Sequence, residues 1–214
     1  MSDETFDKEL ALNLLESADP EVCCQNSFLN YHAPGFHYLN LLRTERLTVK
    51  IYVNDETYTP LSFGWVVWPH NHQYNFHTFV LAGGIQHYWF EAAAAEGLGG
   101  QYTLFGLDHF KYRSPFAGGK GFEHAGRSDL TIVDQIRLSA GQSYYLKHDE
   151  IHTIGLDHTV PRTVLLLFQY EDKAKMHTDF FWNQSFPPDV KDLYQKMTPE
   201  QYQQLQKKVL SLIT

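Results

Sequence analysis

Short segments of alternating apolar and polar residues limit the folds open to this chain. Leu47, Val49 and Ile51 alternate with polar neighbours, which is the two-residue period of a strand with one buried face. Turn-forming residues, many of them glycine, separate such segments. Because strand patterns here do not alternate with helical ones, we predict an antiparallel sandwich or barrel rather than a parallel doubly wound sheet. The other predicted strands are 63–68, 77–81, 86–90, 101–105, 131–138, 143–146 and 163–170.

Both ends of the chain carry helical patterns instead. Ser2 is placed to cap a first helix with Phe6 on its apolar face, and Pro20 begins a second, short helix that reaches Phe28. Thr198 is followed by proline and, three residues on, by glutamine, which is typical of a helix start. We predict a single domain over 1–214, with helices in 1–35, a β-barrel in 36–172 and helices in 186–214.

Charge and composition exclude several classes of partner. The chain has 17 Lys and Arg against 25 Asp and Glu, a net charge of −8, and no basic cluster, so a nucleic-acid partner is not expected. The longest apolar runs are strand-sized, so no membrane span is expected. Cys23 and Cys24 are adjacent, so a disulfide between them would not link distant parts of the fold, and we expect both to be reduced thiols. The acidic N-terminal segment lacks the apolar stretch of a signal peptide, and we expect a cytoplasmic protein.

Histidine is unusually frequent, with 12 residues, and two of them have the spacing of metal ligands. His70 and His72 are separated by one residue, so a strand would project both imidazoles from one face. His77 follows at an odd interval and would point to the other face of a straight strand. A turn within 73–76 would bring His77 back inward, as a further ligand or as the hydrogen-bond partner of one.

The spacing of these residues resembles the first sequence motif of the cupins. Gly64, His70, His72, His77 and Gly84 have that spacing, with His77 where the motif normally has glutamate.

A second stretch resembles the second cupin motif. Gly141 is followed by Lys147 and Asp149, where the motif has proline and glycine, and then by His152. The resemblance implies a small antiparallel jelly-roll barrel that holds a divalent metal on His70, His72 and His152, with His77 as a fourth ligand or a supporting residue. The resemblance covers residues 46–170, and cupins of this kind can form homodimers.

The histidine at position 77 makes the chain resemble one group of cupins in particular. Cupins that lack the glutamate and bind iron through three histidines include the thiol dioxygenases and a diketone-cleaving dioxygenase. The resemblance therefore implies Fe(2+), with Zn, Ni, Mn and Cu as other candidates, and a dioxygenase acting with O2 on a small chelating thiol, diketone or amino-acid derivative. The alternative is a redox-silent Zn, Ni or Mn lyase, isomerase or epimerase, or a non-catalytic cupin that binds a small molecule. Position 72 is not aspartate, which argues against a 2-oxoglutarate oxygenase.

Several other residues are candidates for substrate binding. Aromatic residues near the motifs could line the pocket and arginines could bind a carboxylate, although packing or a surface position is the simpler interpretation of each. The segment 91–126 is long for a hairpin and could be a lid or a surface excursion. The candidates are Tyr74, His87, Trp89, Tyr170, Arg43 and Arg162.

Overall fold

The computed structural model describes residues 8–92, 103–113, 119–157, 159–160, 162–172, 177–187, 189 and 193–214. Helices lie at both ends of a long β region. The helices are α1 (Lys8–Ser17), α2 (Pro20–Cys23) and α3 (Pro199–Ile213). The strands are β1 (Phe28–Leu29), β2 (Phe36–Arg43), β3 (Leu47–Asn54), β4 (Tyr74–Ala82), β5 (Gly84–Ala92), β6 (Thr103–Arg113), β7 (Gly121–Ser139), β8 (Ser143–Leu146), β9 (Ile151–Leu156), β10 (Val164–Asp172), β11 (Thr178–Trp182) and β12 (Gln195–Lys196).

The strands form two antiparallel sheets that curl into a half-barrel. One sheet has the order β12-β1-β2-β3-β10-β4-β8, and the other has the order β11-β6-β7-β5-β9. Phe36, Tyr52 and Leu165 of the first sheet pack in one buried cluster with Ile85 and Leu156 of the second. The predicted fold class, a mostly β antiparallel barrel with helices at both ends, is confirmed.

Strand β3 is buried on both faces, so the prediction of a half-buried strand is wrong. Val49, Ile51 and Val53 pack in the cluster formed with the helices. Lys50 and Tyr52 point the other way, into the barrel, and are 2% and 8% exposed. The polar face of the alternating pattern is therefore the interior of the barrel rather than its outer surface.

Helix α3 covers the outer face of the first sheet. Thr198 accepts a hydrogen bond from the backbone of Gln201, whose side chain bonds back to the Thr198 amide, so the predicted helix start is confirmed. Tyr202, Leu205 and Val209 are buried against the sheet. Each aliphatic side chain buried in this way stabilises the fold by about 1.5–3 kcal/mol.

The N-terminal region differs in part from its prediction. Ser2 and Phe6 lie outside the described residues. The short helix after Pro20 forms, and a 3₁₀ turn extends it to Asn26. Extended backbone then begins at Ser27, so Phe28 lies in β1 rather than in the helix. In the predicted C-terminal helical region, the helix that the structure describes is α3, and it follows β12.

Two middle segments also differ from prediction. Residues 63–68 do not form a strand because Phe63 (φ 65°) and Gly64 (φ 77°) adopt left-handed backbone. Much of 91–126 belongs to the hairpin of β6 and the 19-residue β7, rather than to a loop, although 93–102 and 114–118 lie outside the described residues. Within the described part of the chain, no helix is both long and apolar enough to cross a membrane.

Candidate metal centre

Three histidines meet where the segment before β4 runs beside β9. His70 and His152 exchange backbone hydrogen bonds, with N···O distances of 3.1 and 2.9 Å. The His72 amide donates to the His148 carbonyl at 3.1 Å. Backbone pairing to the turn and strand of the second motif therefore fixes the position of all three imidazoles.

The ring nitrogens of these residues converge. One nitrogen from each of His70, His72 and His152 lies within 4.8 Å of the other two. Nε2 of His72 lies 2.9 Å from Nε2 of His152. The Nδ1 atoms of His70 and His152 point away, toward the Trp68 carbonyl at 2.9 Å and Nε2 of His87 at 2.8 Å. When each Nδ1 carries the proton of its ring, Nε2 of both residues is free to bind a metal.

Burial keeps these imidazoles neutral. It lowers the pKa of His70 to about 4, against an opposing hydrogen bond to the Trp68 carbonyl. The pKa values of His72 and His152 lie well below the usual range, because of burial first and the charges of neighbouring histidines second. Neutral imidazole is the form that binds metals, so the donor set fits Fe(II), Zn, Ni, Mn or Cu.

We expect the metal affinity of this site to resist acid. Three ordinary histidines, with pKa values near 6.5, would lose roughly 10⁴-fold in affinity between pH 7 and pH 5 through proton competition. Here protons compete only as the pH approaches 4, so we expect less than about a tenfold loss over that range. Competition titrations with Zn(II) at pH 7, 6 and 5, corrected for the chelator, measure this. A loss that begins at pH 6.5 would contradict the burial argument.

The fold must be monitored in the same titration. The unfolded chain takes up protons at these histidines near pH 6.5, whereas burial in the folded chain lowers the pKa of all three, and that of His70 to about 4. Stability is therefore lost as the pH falls through that window. Circular dichroism at each pH separates loss of metal from loss of fold.

An aromatic cavity opens beside the three histidines. Its volume, measured as the space open to the centres of water molecules, is about 50 Å³. This is enough for about three or four waters or a small ligand. Its walls are mainly apolar and aromatic. Lining residues besides the three histidines include His32, Phe36, Tyr52, Tyr74, Phe76 and Tyr144.

His77 does not join the cluster. Strand β4 begins at Tyr74 and keeps a regular alternation, so Phe76 and Thr78 line the cavity while His77 points outward. There its Nε2 lies 3.2 Å from the Ser143 hydroxyl, and its ring lies 4.3 Å from that of Phe79. The predicted turn that would bring His77 inward does not form, so the assignment of His77 as a fourth ligand or supporting residue is wrong.

Three other candidates lie in or behind the site. Tyr74 lines the cavity, with its ring 5.0 Å from that of His72. His87 is fully buried and holds His152 from behind, and the same burial, with the charge of His70, lowers its pKa to about 3. Trp89 packs against His87 at 3.8 Å between ring centroids and supports the site from behind the cavity wall.

The remaining three candidates lie outside the cavity. Arg43 is exposed at the end of β2 and lies within hydrogen-bond distance of Asn26. Arg162 forms an ion pair with Glu56. Tyr170 is on the outward face of β10 and is 39% exposed. The structure therefore does not bring these three candidates to the cavity beside the histidines.

Sequence reasoning missed two residues of the site. His32, in left-handed backbone (φ 71°), lines the cavity, with its ring 6.1 Å from that of His70. It comes from the N-terminal segment, and no spacing relates it to either motif. Lys50 is buried among aromatic rings that belong to the cavity wall. Its place in an alternating strand indicated solvent exposure instead.

A polar network on the far side holds the ligand segment in place. Asn71, between the two histidines, exchanges hydrogen bonds with Asp179 of β11 at 2.7 and 2.8 Å. Asp179 also accepts a hydrogen bond from His109 at 2.9 Å. The segment carrying His70 and His72 is thus fixed from both sides.

Comparison with known proteins finds only distant structural matches. No family model matches the sequence, and the search of curated proteins finds no match either. KdgF from Halomonas sp. is 15% identical, with 64% of this chain and 82% of that chain aligned and a TM-score of 0.36. Hydroxypropylphosphonic acid epoxidase from S. wedmorenis is 14% identical, with 68% and 56% aligned and a TM-score of 0.36.

A cupin superfamily protein from Desulfitobacterium hafniense is 10% identical over 63% of this chain and 76% of its own, with a TM-score of 0.34. The chain spans only 50% of another matched structure, described as Fe(II) HppE. Likenesses this weak assign neither a family nor an activity. The case for a metal centre in this chain rests on its own three histidines and the cavity beside them.

Proposed function

We propose that this protein is a mononuclear non-haem iron(II) oxygenase of the dioxygenase type, acting on a small metal-chelating substrate with O2. The observation that carries the proposal is the cluster of His70, His72 and His152 beside an aromatic cavity. Three neutral ligands leave a divalent ion its full charge and open coordination positions, so an anionic chelator such as a thiolate or enolate would be favoured. Iron(II) bound there would supply the redox chemistry.

The residues of the site have separate tasks in this proposal. The three histidines would hold the metal, with the ring protons of His70 and His152 kept on the nitrogens that face Trp68 and His87. Tyr52, Tyr74, Phe76 and Tyr144 would exclude bulk water and limit the size of the substrate. The cavity volume favours a substrate of few heavy atoms, in keeping with a small thiol, diketone or amino-acid derivative.

A second candidate follows from the same donor set. Three histidines are also the ligands of zinc enzymes that polarise a bound water or carbonyl. A Zn, Ni or Mn lyase, isomerase or epimerase would use the same residues as a Lewis-acid site.

Metal analysis and oxygen uptake distinguish the two candidates. The protein is purified without added metal, its metal content is measured, and the iron-loaded form is tested in an oxygen electrode with a thiol and diketone panel. Iron content near one per chain and substrate-dependent O2 uptake would support the oxygenase. Stoichiometric zinc, with no O2 uptake or spectral change for any chelator after iron loading, would overturn it in favour of the Lewis-acid candidate. The cytoplasmic location, the homodimer and the absence of a nucleic-acid partner stay predictions.

A further inference from the structure

A buried lysine lies inside the barrel, next to the cavity. Lys50 is on the inward face of β3 and is 2% exposed. Its Nζ donates to Oε1 of Gln169 at 2.9 Å and to the Tyr74 hydroxyl at 3.4 Å. The rings of Tyr38, Tyr52 and Tyr74 surround it, with centroids 5.1–5.6 Å from Nζ. A lysine in such a place needs an explanation, since lysine is among the residues that are almost never fully buried.

The positive charge of Lys50 is not neutralised by a neighbouring acid. In the part of the chain that the structure describes, no carboxylate lies within 4 Å of its Nζ. Burial first, and the charge of Arg43 second, lower its pKa to about 7, against the opposing charge of Asp172. An unpaired buried ammonium is unfavourable and strongly attracts any anion that reaches it.

Tyr74 connects this ammonium to the cavity. Its ring lies against that of His72 on the cavity wall, and its hydroxyl oxygen accepts the hydrogen bond from Lys50. The phenol O–H is therefore free to point elsewhere. Tyr74 can then donate a hydrogen bond to a ligand in the cavity while Lys50 stabilises the negative charge.

We propose that Lys50 and Tyr74 form an anion subsite, and that the substrate carries a carboxylate or similar anion a few bonds from its metal-binding group. This inference rests on the proposed metal site and specifies the substrate class. The predicted carboxylate-binding arginines lie outside the cavity, whereas Lys50 lies directly behind Tyr74, which lines it.

A matched pair of probes tests the subsite without requiring turnover. The cobalt(II)-loaded protein is titrated with 3-mercaptopropionate and with 3-mercaptopropionamide, which share the thiol but differ in charge, and binding is followed by the thiolate absorption band of the cobalt. We expect the acid to bind roughly ten- to one-hundredfold more tightly than the amide. Lys50→Met should remove most of this preference and leave the affinity for the amide within about threefold.

Lys196→Met is the matched control. Lys196 also lies over an aromatic ring, 4.2 Å from the centroid of Phe28, but it is exposed on β12, away from the cavity. This variant should keep the full preference for the acid.

Tyr74→Phe keeps the proposal open to refutation if Lys50→Met does not fold. It removes only the hydroxyl and should weaken binding of the acid by about three- to tenfold, and binding of the amide by less, since a neutral carbonyl accepts a weaker hydrogen bond than a carboxylate. Equal affinity of the original protein for both probes would overturn the subsite. So would a preference of undiminished size in folded Lys50→Met or in Tyr74→Phe. Neither result depends on O2 uptake, so failure of the subsite is distinct from failure of the oxygenase proposal.

Discussion

Replacing His152 with alanine is expected to weaken metal binding by more than about a hundredfold, beyond the effect of losing a residue that only supports a ligand. His152 provides one of three converging nitrogens, and its Nε2 lies 2.9 Å from that of His72. Two histidines would remain, and the buried cavity has no acidic side chain in the described cluster to replace the third. Equilibrium dialysis with Zn(II) or Co(II), in competition with a chelator, measures the loss.

His77→Ala is the matched control for this experiment. His77 belongs to the same sequence motif as His70 and His72, but its side chain points to the outer face of the sheet and contacts Ser143 and Phe79. Its replacement should change metal affinity by less than about threefold. Circular dichroism should show that both variants keep the β fold. Metal affinity retained in His152→Ala, or lost in His77→Ala, would contradict the site.

Replacing His87 with leucine is expected to lower metal affinity by about ten- to one-hundredfold, although His87 does not reach the metal position. Its Nε2 lies 2.8 Å from Nδ1 of His152, where it can accept a hydrogen bond from the Nδ1–H and so leave Nε2 of His152 free to bind the metal. Leucine cannot accept that hydrogen bond, so His152 loses its fixed tautomer and orientation. His87→Gln retains an acceptor and should recover part of the affinity.

A buried histidine that does not line the cavity separates this effect from simple loss of stability. His37 is 6% exposed and lies 2.8 Å from Asp55. His37→Leu should lower the thermal midpoint of the metal-free protein while leaving metal affinity unchanged. If His87→Leu and His87→Gln bind metal equally well, the hydrogen bond to His152 does not orient the ligand, and His87 serves only to pack the core.

Local patterns predicted the strands and most of the metal site. The alternation of apolar and polar residues can be recognised within a few neighbouring positions. Strands β3, β8 and β10 therefore lie close to their predicted positions. The one-residue interval between His70 and His72, together with the resemblance of the stretch that ends at His152 to the second cupin motif, selected the three residues that the structure brings together. This worked because two ligands lie on one short segment and the third opens a strand directly paired to it.

Features that depend on distant parts of the chain could not be predicted in this way. The orientation of His77 depends on where β4 begins, and the structure places that point at Tyr74. Residues 63–68 carry the apolar content of a strand, but left-handed backbone at Phe63 interrupts it. The ion pair of Arg162 with Glu56 joins segments 106 residues apart. A strand with one buried face predicts that Lys50 is exposed to solvent. The alternation of apolar and polar residues shows that the strand has two faces, but it does not show that the second face closes over a cavity.

Substitutions on the two buried faces of β3 have different consequences, because one face packs under the helices and the other points into the barrel. Substitutions at Val49, Ile51 and Val53 alter the layer under the helices and therefore the stability of the protein. Substitutions at Lys50 and Tyr52 alter the cavity, with little effect on that layer, because the side chains point in opposite directions. Homologues can therefore diverge in the molecules they accept by exchanging alternate residues of a single strand, while the scaffold that holds the histidines stays the same.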